Sequence, residues 1–326
     1  MLSGNLRRGL VLGGGGTLGA AWMIGALVAL QEDTGFDPRD AHMIVGTSAG
    51  SLLAALFGAG ASPEDLWRHQ HGELPESGPL AGRIFDYDHA AGGAAPPRPQ
   101  AGIGSPRLIA RSVRHPRRYP TMTVISAFLP TGRGSLGDIG QMVGDAIPLG
   151  AWSPHPGVRA VAMDYDTGER VVFGEPGAPQ ASLAEAVVAS CSIPGWFPPT
   201  VIGDRRYIDG GTFSNTNIDL LTADRMPGGE PLDEVYVLAP MAAHSYDRPR
   251  TVLGRIERSF RHRVTRQMLV EAKEVRQDGT RVVILCPGAD DLEVLGANLM
   301  DPSRRAEVLV TARRTTTEFL DSREAA

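Results

Sequence analysis

The 326-residue sequence predicts an α/β fold in three layers, with helices on both faces of a mainly parallel central sheet. Three observations carry that expectation. Short apolar runs, Gly9-Leu10-Val11-Leu12 and Met43-Ile44-Val45, stop at glycine and lead into apolar helical stretches, as fully buried parallel strands do. Strand and helix patterns alternate along the chain. The composition, 42% hydrophobic and 21% charged, is that of an ordinary globular chain. At this length two domains are a reasonable prior, but open α/β sheets often run as long in one piece, so a single domain over 1–326 is expected.

Taken in order, the first strand gives way to a glycine loop and an almost wholly apolar helix from Leu18 to Leu30, which must be deeply buried. A turn at Thr34–Pro38 precedes the second strand, the sharp Gly46-Thr47-Ser48-Ala49-Gly50, and another apolar helix to about Ala59. Pro63 opens a more polar helix. Residues 72–120 are rich in Pro, Gly and Ala and predict a lid-like insertion, mobile near its middle. Within it, Ser105-Pro106 reads as N-cap and first helical residue, and Pro116 ends the helix. Arg107, Arg111 and Arg114 share one face of it, with Leu108, Ile109 and Val113 elsewhere. That face is either solvated or a contact for anionic lipid headgroups at an entrance.

Further on, 159–164 and 170–173 predict a hairpin through Asp166-Thr167-Gly168. Ser182-Leu183-Ala184-Glu185 is a capping box. Residues 235–238 and 282–285 are further buried strands. Between them Leu253, Ile256, Phe260, Val264 and Met268 form an apolar stripe, with Arg255, Arg258 and Arg266 on a solvated opposite face. Ser303 is expected to cap a terminal helix, and 250–326 to pack on the core as a helical extension.

Charge and cysteine usage exclude several classes. With 32 Lys+Arg against 37 Asp+Glu, the net charge of −5 argues against a nucleic-acid binder. Cys191 and Cys286 give no disulfide framework, and the eight histidines show no metal-ligand spacing, so neither metal nor cofactor is expected. The neutral run Gly9–Leu30 after Arg7-Arg8 mimics a signal peptide, but its seven glycines break the helix a signal core needs. A cytoplasmic protein that meets membranes transiently is expected, of unspecified oligomeric state.

Chemistry concentrates in three segments. Gly14, Gly16 and Gly19 satisfy the dinucleotide pattern GxGxxG, but the second strand lacks the acidic residue that would hold a ribose. A strand-to-helix elbow explains more. Its central residue, Ser48, is pushed out at the carboxyl edge of the sheet and is a candidate nucleophile, with Gly46 and Gly50 allowing close passage of strand and helix. A tetrahedral adduct needs an oxyanion hole, for which the amides of Gly14, Gly15 and Gly16 are the candidates. The third segment is Asp209-Gly210-Gly211.

Together with Ala189-Ser190-Cys191-Ser192-Ile193-Pro194-Gly195-Trp196-Phe197-Pro198-Pro199, these motifs resemble the patatin-like phospholipases over residues 9–217. The resemblance implies a patatin-like α/β/α fold and a serine hydrolase acting on carboxylic esters of lipids. Ser48 would be its nucleophile, Asp209 its base, and the glycine loop its oxyanion hole, with no metal or cofactor. Gly19, Gly46, Gly50, Gly210 and Gly211 support these motifs. Two departures stand out: Leu18 replaces the family's usual Arg or Lys, and Asn215-Thr216-Asn217 replaces Asn-x-Pro. Trp22, Trp196 and Phe197 are either acyl-channel or core residues. The alternatives are a Ser-His-Asp triad completed by His244, as in α/β-hydrolase esterases, and a non-catalytic lipid-binding descendant.

Overall fold

The computed structural model describes residues 6–87, 93–147, 150–245 and 252–324. Strand β1 (Arg8–Leu12) leads through the glycines into α1 (Gly16–Thr34), and β2 (Met43–Thr47) into α2 (Ala49–Gly58) and α3 (Pro63–Gln70). Among the described residues the next helices are α4 (Pro106–Arg114), α5 (Thr121–Phe128) and α6 (Gly137–Ala146). The hairpin β3 (Val158–Asp164) and β4 (Arg170–Phe173), α7 (Leu183–Ser190), and the short strands β5 (Thr200–Ile202) and β6 (Arg205–Asp209) complete the middle of the chain. Last come β7 (Glu234–Leu238), α8 (Val252–Gln277), β8 (Arg281–Leu285), α9 (Ala289–Leu295) and α10 (Arg305–Glu324). Residues 88–92 of the expected lid, and the side chains of Leu253 and Ile256, lie outside the described residues.

The eight strands among the described residues form one sheet in the order β5-β6-β3-β2-β1-β7-β8, with β4 alongside β3. The run β3-β2-β1-β7-β8 is parallel throughout, while β4, β5 and β6 are antiparallel additions. Alternation along each strand divides the core into two. Leu10, Leu12, Ile44, Tyr236 and Leu238 face α1, α2 and α10. Val11, Val45, Val235 and Val237 face Val264, Met268, Ala272 and Val275 of α8. Towards the β6 edge, α7 covers the first face and the α4–α5 pair the second. The expected three layers are present.

α1 is buried from Leu18 to Leu30, Ala20 only partly, because it lies between the sheet and α10. At Gly25 a Cβ would come within 2.3 Å of the Leu309 carbonyl, so only glycine admits that crossing.

Three local expectations need correction. Val113 is 76% exposed, because α4 buries Leu108 and Ser112, one turn apart, leaving Val113 facing outward. Arg258 is buried rather than solvated, where its guanidinium pairs with Glu257 and donates to the Leu292 carbonyl. Asp301, rather than Ser303, makes the cap ahead of the terminal helix, accepting from the Ser303 amide with Pro302 as first residue of the turn. The C-terminal segment also supplies edge strand β8 besides its helices.

Candidate active site

Thr47 ends β2 and Ala49 begins α2, leaving one residue to reverse the chain. Ser48 does so at φ 53°, ψ −123°, a backbone state that costs about 1–3 kcal/mol in a non-glycine residue. The surroundings impose it. The Ser48 amide donates to Ser190 Oγ (2.8 Å), which in turn donates to the Val161 carbonyl (2.6 Å). The Ser51 hydroxyl and amide both donate to the Ser48 carbonyl, at 2.7 and 2.8 Å. A Cβ at Gly50 would stand 2.0 Å from the Leu12 carbonyl, and one at Gly46 would stand 2.4 Å from that of Gly50, so β1, β2 and α2 meet only through glycine.

Sheet register carries Asp209 to the same place. Thr47 pairs with Val161 on β3, and the next residue, Ala162, pairs with Asp209 on β6. Gly210 lies flat on β3, where a Cβ would sit 2.3 Å from the Val161 carbonyl. The Asp209 carboxylate accepts the Gly211 amide (2.7 Å), and the Ser48 hydroxyl is close enough to it to lower its pKa. Burial pushes its pKa up to about 6, against the lowering effect of the Ser48 hydroxyl and the Gly211 amide. The neighbouring Cys191 thiol is pushed up to about 12 by burial and then by the Asp209 charge, which leaves it a thiol at neutral pH.

The glycine loop closes the third side. Gly14 lies against the serine: a Cβ there would be 3.4 Å from Cβ of Ser48. Its amide is already used, donating to the Asn215 carbonyl at 3.1 Å, as Gly13 donates to Leu238 at 2.9 Å. Of the three amides singled out in the sequence, those of Gly15 and Gly16 have no protein acceptor among the described residues. The Ala49 amide, at the start of α2, is likewise without one. Gly15 and Gly19 pack on the Pro240 ring. Leu18 is fully buried, its amide donating to the Leu299 carbonyl (2.9 Å).

Ser48, Ala49 and Gly16 border a pocket enclosing about 740 Å³, part of it open to solvent. Its walls are Leu52, Leu56, Leu66, Phe85, Ile139, Met142 and Phe197, and no charged side chain lines it among the described residues. Phe197 therefore faces the pocket, whereas Trp22 is core.

Residues outside the catalytic motifs support the site. Asn217 is the second non-glycine residue at positive φ (56°) among those described, a conformation closed to proline, which accounts for the departure from Asn-x-Pro. Its side chain donates to Thr47 Oγ1 (3.0 Å) and the Ser214 carbonyl (2.7 Å) and accepts from Arg170 (3.1 Å). Glu271 reaches from α8 to accept the hydroxyls of Ser214 (2.5 Å) and Thr216 (2.9 Å) and the Ile218 amide (3.0 Å). Its one sequence signal is position: a carboxylate three residues after Met268 on the apolar stripe. His244 is elsewhere, with Nδ1 against the Cys286 carbonyl (2.8 Å) and its ring against Phe319. No group of metal-binding side chains and no helix able to cross a membrane occurs among the described residues.

The sequence profile of the family described as Patatin-like phospholipase matches residues 10–75 and 106–222, more than half of the chain. Thirteen chains of solved structures match it, among them these two. The structure of VipD from Legionella pneumophila is 17% identical with a TM-score of 0.46, over 98% of this chain and 68% of that one. The ExoU-SpcU heterodimer of the Pseudomonas aeruginosa type III secretion system is 17% identical with a TM-score of 0.35, over 98% of this chain and 52% of the other. No curated protein matches.

Proposed function

The chain belongs to the patatin-like phospholipase family, whose activity is lipid acyl hydrolysis, and from that premise we propose that it cleaves carboxylic esters of lipids through a Ser48–Asp209 dyad. The observation that carries this is the strained Ser48, whose hydroxyl faces a buried carboxylate at the edge of an apolar pocket.

Ser48 Oγ attacks the ester carbonyl while its proton passes to Asp209. A free carboxylate near pKa 4 is a poor base for that transfer, and burial brings Asp209 closer to the working pH. The oxyanion is held by the amides of Gly15, Gly16 and Ala49 at the N-termini of α1 and α2, where the helix dipoles add favourable potential. Gly14 shapes the loop and donates elsewhere. Each such donor is worth about 2.7–4 kcal/mol in the transition state. Collapse of the adduct breaks the ester C–O bond, and Asp209 returns the proton to the departing alcohol. The same carboxylate then takes a proton from water, which attacks the acyl-enzyme; the acyl C–Ser48 Oγ bond breaks, Asp209 returns the proton to Oγ, and the fatty acid leaves. The pocket walls accept the acyl chain. With Leu18 buried, charge stabilisation at the loop falls to the amides alone.

A fluorophosphonate probe tests this. Covalent labelling of the protein, lost in Ser48→Ala and retained in His244→Ala, is expected, along with turnover of p-nitrophenyl acyl esters. Absence of labelling in folded protein across detergents would instead favour a lipid-binding role, and loss of turnover in His244→Ala would favour a triad.

A further inference from the structure

Between residues 89 and 137 the chain carries seven arginines and no acidic residue, although its net charge is −5. The described part of this segment also concentrates exposed large apolar side chains: Ile103, Val113, Ile125, Phe128 and Leu129. Soluble surfaces scatter such residues singly; a cluster set among cations is the pattern of an interfacial membrane contact.

The cluster has a defined place. α4 and α5 pack side by side through Leu108 and Ala127, and the Ser105 amide donates to the Ala127 carbonyl (3.1 Å). That packing brings Ile103 towards the end of α5, where Phe128 and Leu129 stand exposed. On α4, Arg111 and Arg114 share a face, Val113 stands exposed on an adjoining side, and Arg117 follows in the next turn of chain. Arg107 and Arg118 meet Asp166 (3.6 Å) and Glu169 (2.9 Å), but Arg111, Arg114 and Arg117 have no carboxylate partner among the described residues. The pair is also tied to the candidate site. Thr123 Oγ1 donates to the Thr212 carbonyl (2.9 Å) just beyond Asp209, and Leu129 borders Gly195, two residues before the pocket residue Phe197.

We propose that the outer surface of α4 and α5 docks the protein on the surface of an anionic bilayer, arginines among the headgroups and Val113, Ile125, Phe128 and Leu129 at the acyl boundary. The occupant follows from charge complementarity: unpaired arginines around exposed apolar side chains favour a negatively charged lipid surface over a neutral one. Docking here would set the segment tied to the Asp209 turn and to Gly195 against the lipid layer. It does not depend on chemistry at Ser48, so the inactive Ser48→Ala protein should dock equally well.

The test is co-sedimentation of the Ser48→Ala protein with phosphatidylcholine vesicles made with and without phosphatidylglycerol. Binding should require phosphatidylglycerol and weaken with salt. At about fivefold per arginine, the triple change Arg111→Gln, Arg114→Gln, Arg117→Gln should weaken partitioning on the order of a hundredfold. Phe128→Ser should weaken it independently. In the active background both sets should leave hydrolysis of a water-soluble short-chain ester unchanged, which establishes that the variants fold. Equal binding to neutral vesicles, or unchanged binding of the triple variant, would overturn the assignment. So would vesicle binding by none of the proteins, or a self-association, measured by analytical ultracentrifugation, that Phe128→Ser abolishes while vesicle binding persists.

Discussion

Residues 8–58 and residues 71–137 are built on opposite principles. The first stretch is two parallel strands and two buried helices whose junctions are glycines with no room for a methyl group. The second has no strand among its described residues, exposes apolar side chains, and is held by a small apolar cluster and by single hydrogen bonds such as Ser105 Oγ to Asp166 and Thr123 Oγ1 to the Thr212 carbonyl. The contrast locates the chemistry and its tuning. A nucleophile held at positive φ needs a surround that over-determines it, which the β1–β2–α2 junction supplies. A surface that meets a variable lipid layer needs no such constraint.

Perturbing the rigid side should have the larger effects. Asp209→Asn should lower kcat/KM for a soluble ester by about 10⁴-fold, a drop of the size seen when a catalytic carboxylate elsewhere becomes an amide. The same change should leave the fold no less stable at neutral pH. The sign follows from linkage: the folded state holds the Asp209 proton up to about pH 6 and the unfolded chain releases it nearer 4, so stability falls as pH rises through that window. Asn removes that loss, and thermal melts at pH 5 and pH 8 should converge relative to the native protein.

Gly50→Ala comes next. Its Cβ would meet the Leu12 carbonyl at 2.0 Å, backbone against backbone, and should cost about 3 kcal/mol or more of stability in denaturant titration. Glu271→Ala leaves two hydroxyls and an amide without their acceptor and should cost about 2–3 kcal/mol, with Gln recovering part of it. Ser48→Gly should run the other way, abolishing turnover while gaining about 1 kcal/mol as the positive-φ strain is relieved. The smallest effects belong to the second region. Val113→Ser or Arg114→Gln should change stability within about 0.5 kcal/mol and leave soluble-ester turnover intact.

The two regions also differ in how far the sequence reveals them. β1, α1, β2 and α2 are legible because burial on both faces leaves unbroken apolar runs, and the sharp turn leaves glycines. Ser182 and Ser105 announce their helices by local capping, and both cap as expected. The β5–β6 hairpin was not anticipated: β5 is three residues long, with Val201 exposed, and Arg205-Arg206 break the apolar signal of β6. In the candidate site, residues that act through their own local turn can be found by pattern. Those that act at a distance cannot. Ser190 reaches the Ser48 amide across 142 residues and Asn217 reaches Thr47 across 170, and no local spacing encodes either bond. Arg258 misleads for the same reason, since its carbonyl acceptor, Leu292, lies 34 residues away.

The central claim is that a buried carboxylate, without imidazole, activates Ser48. The pH dependence of kcat/KM for a soluble p-nitrophenyl ester tests it most directly, measured on the native protein, Asp209→Asn and His244→Ala. The account predicts activity that rises with pH through a midpoint near 6, where Asp209 loses its proton, unchanged in His244→Ala and absent in Asp209→Asn. A similar rise that persists in Asp209→Asn, or one that disappears in His244→Ala, would contradict it.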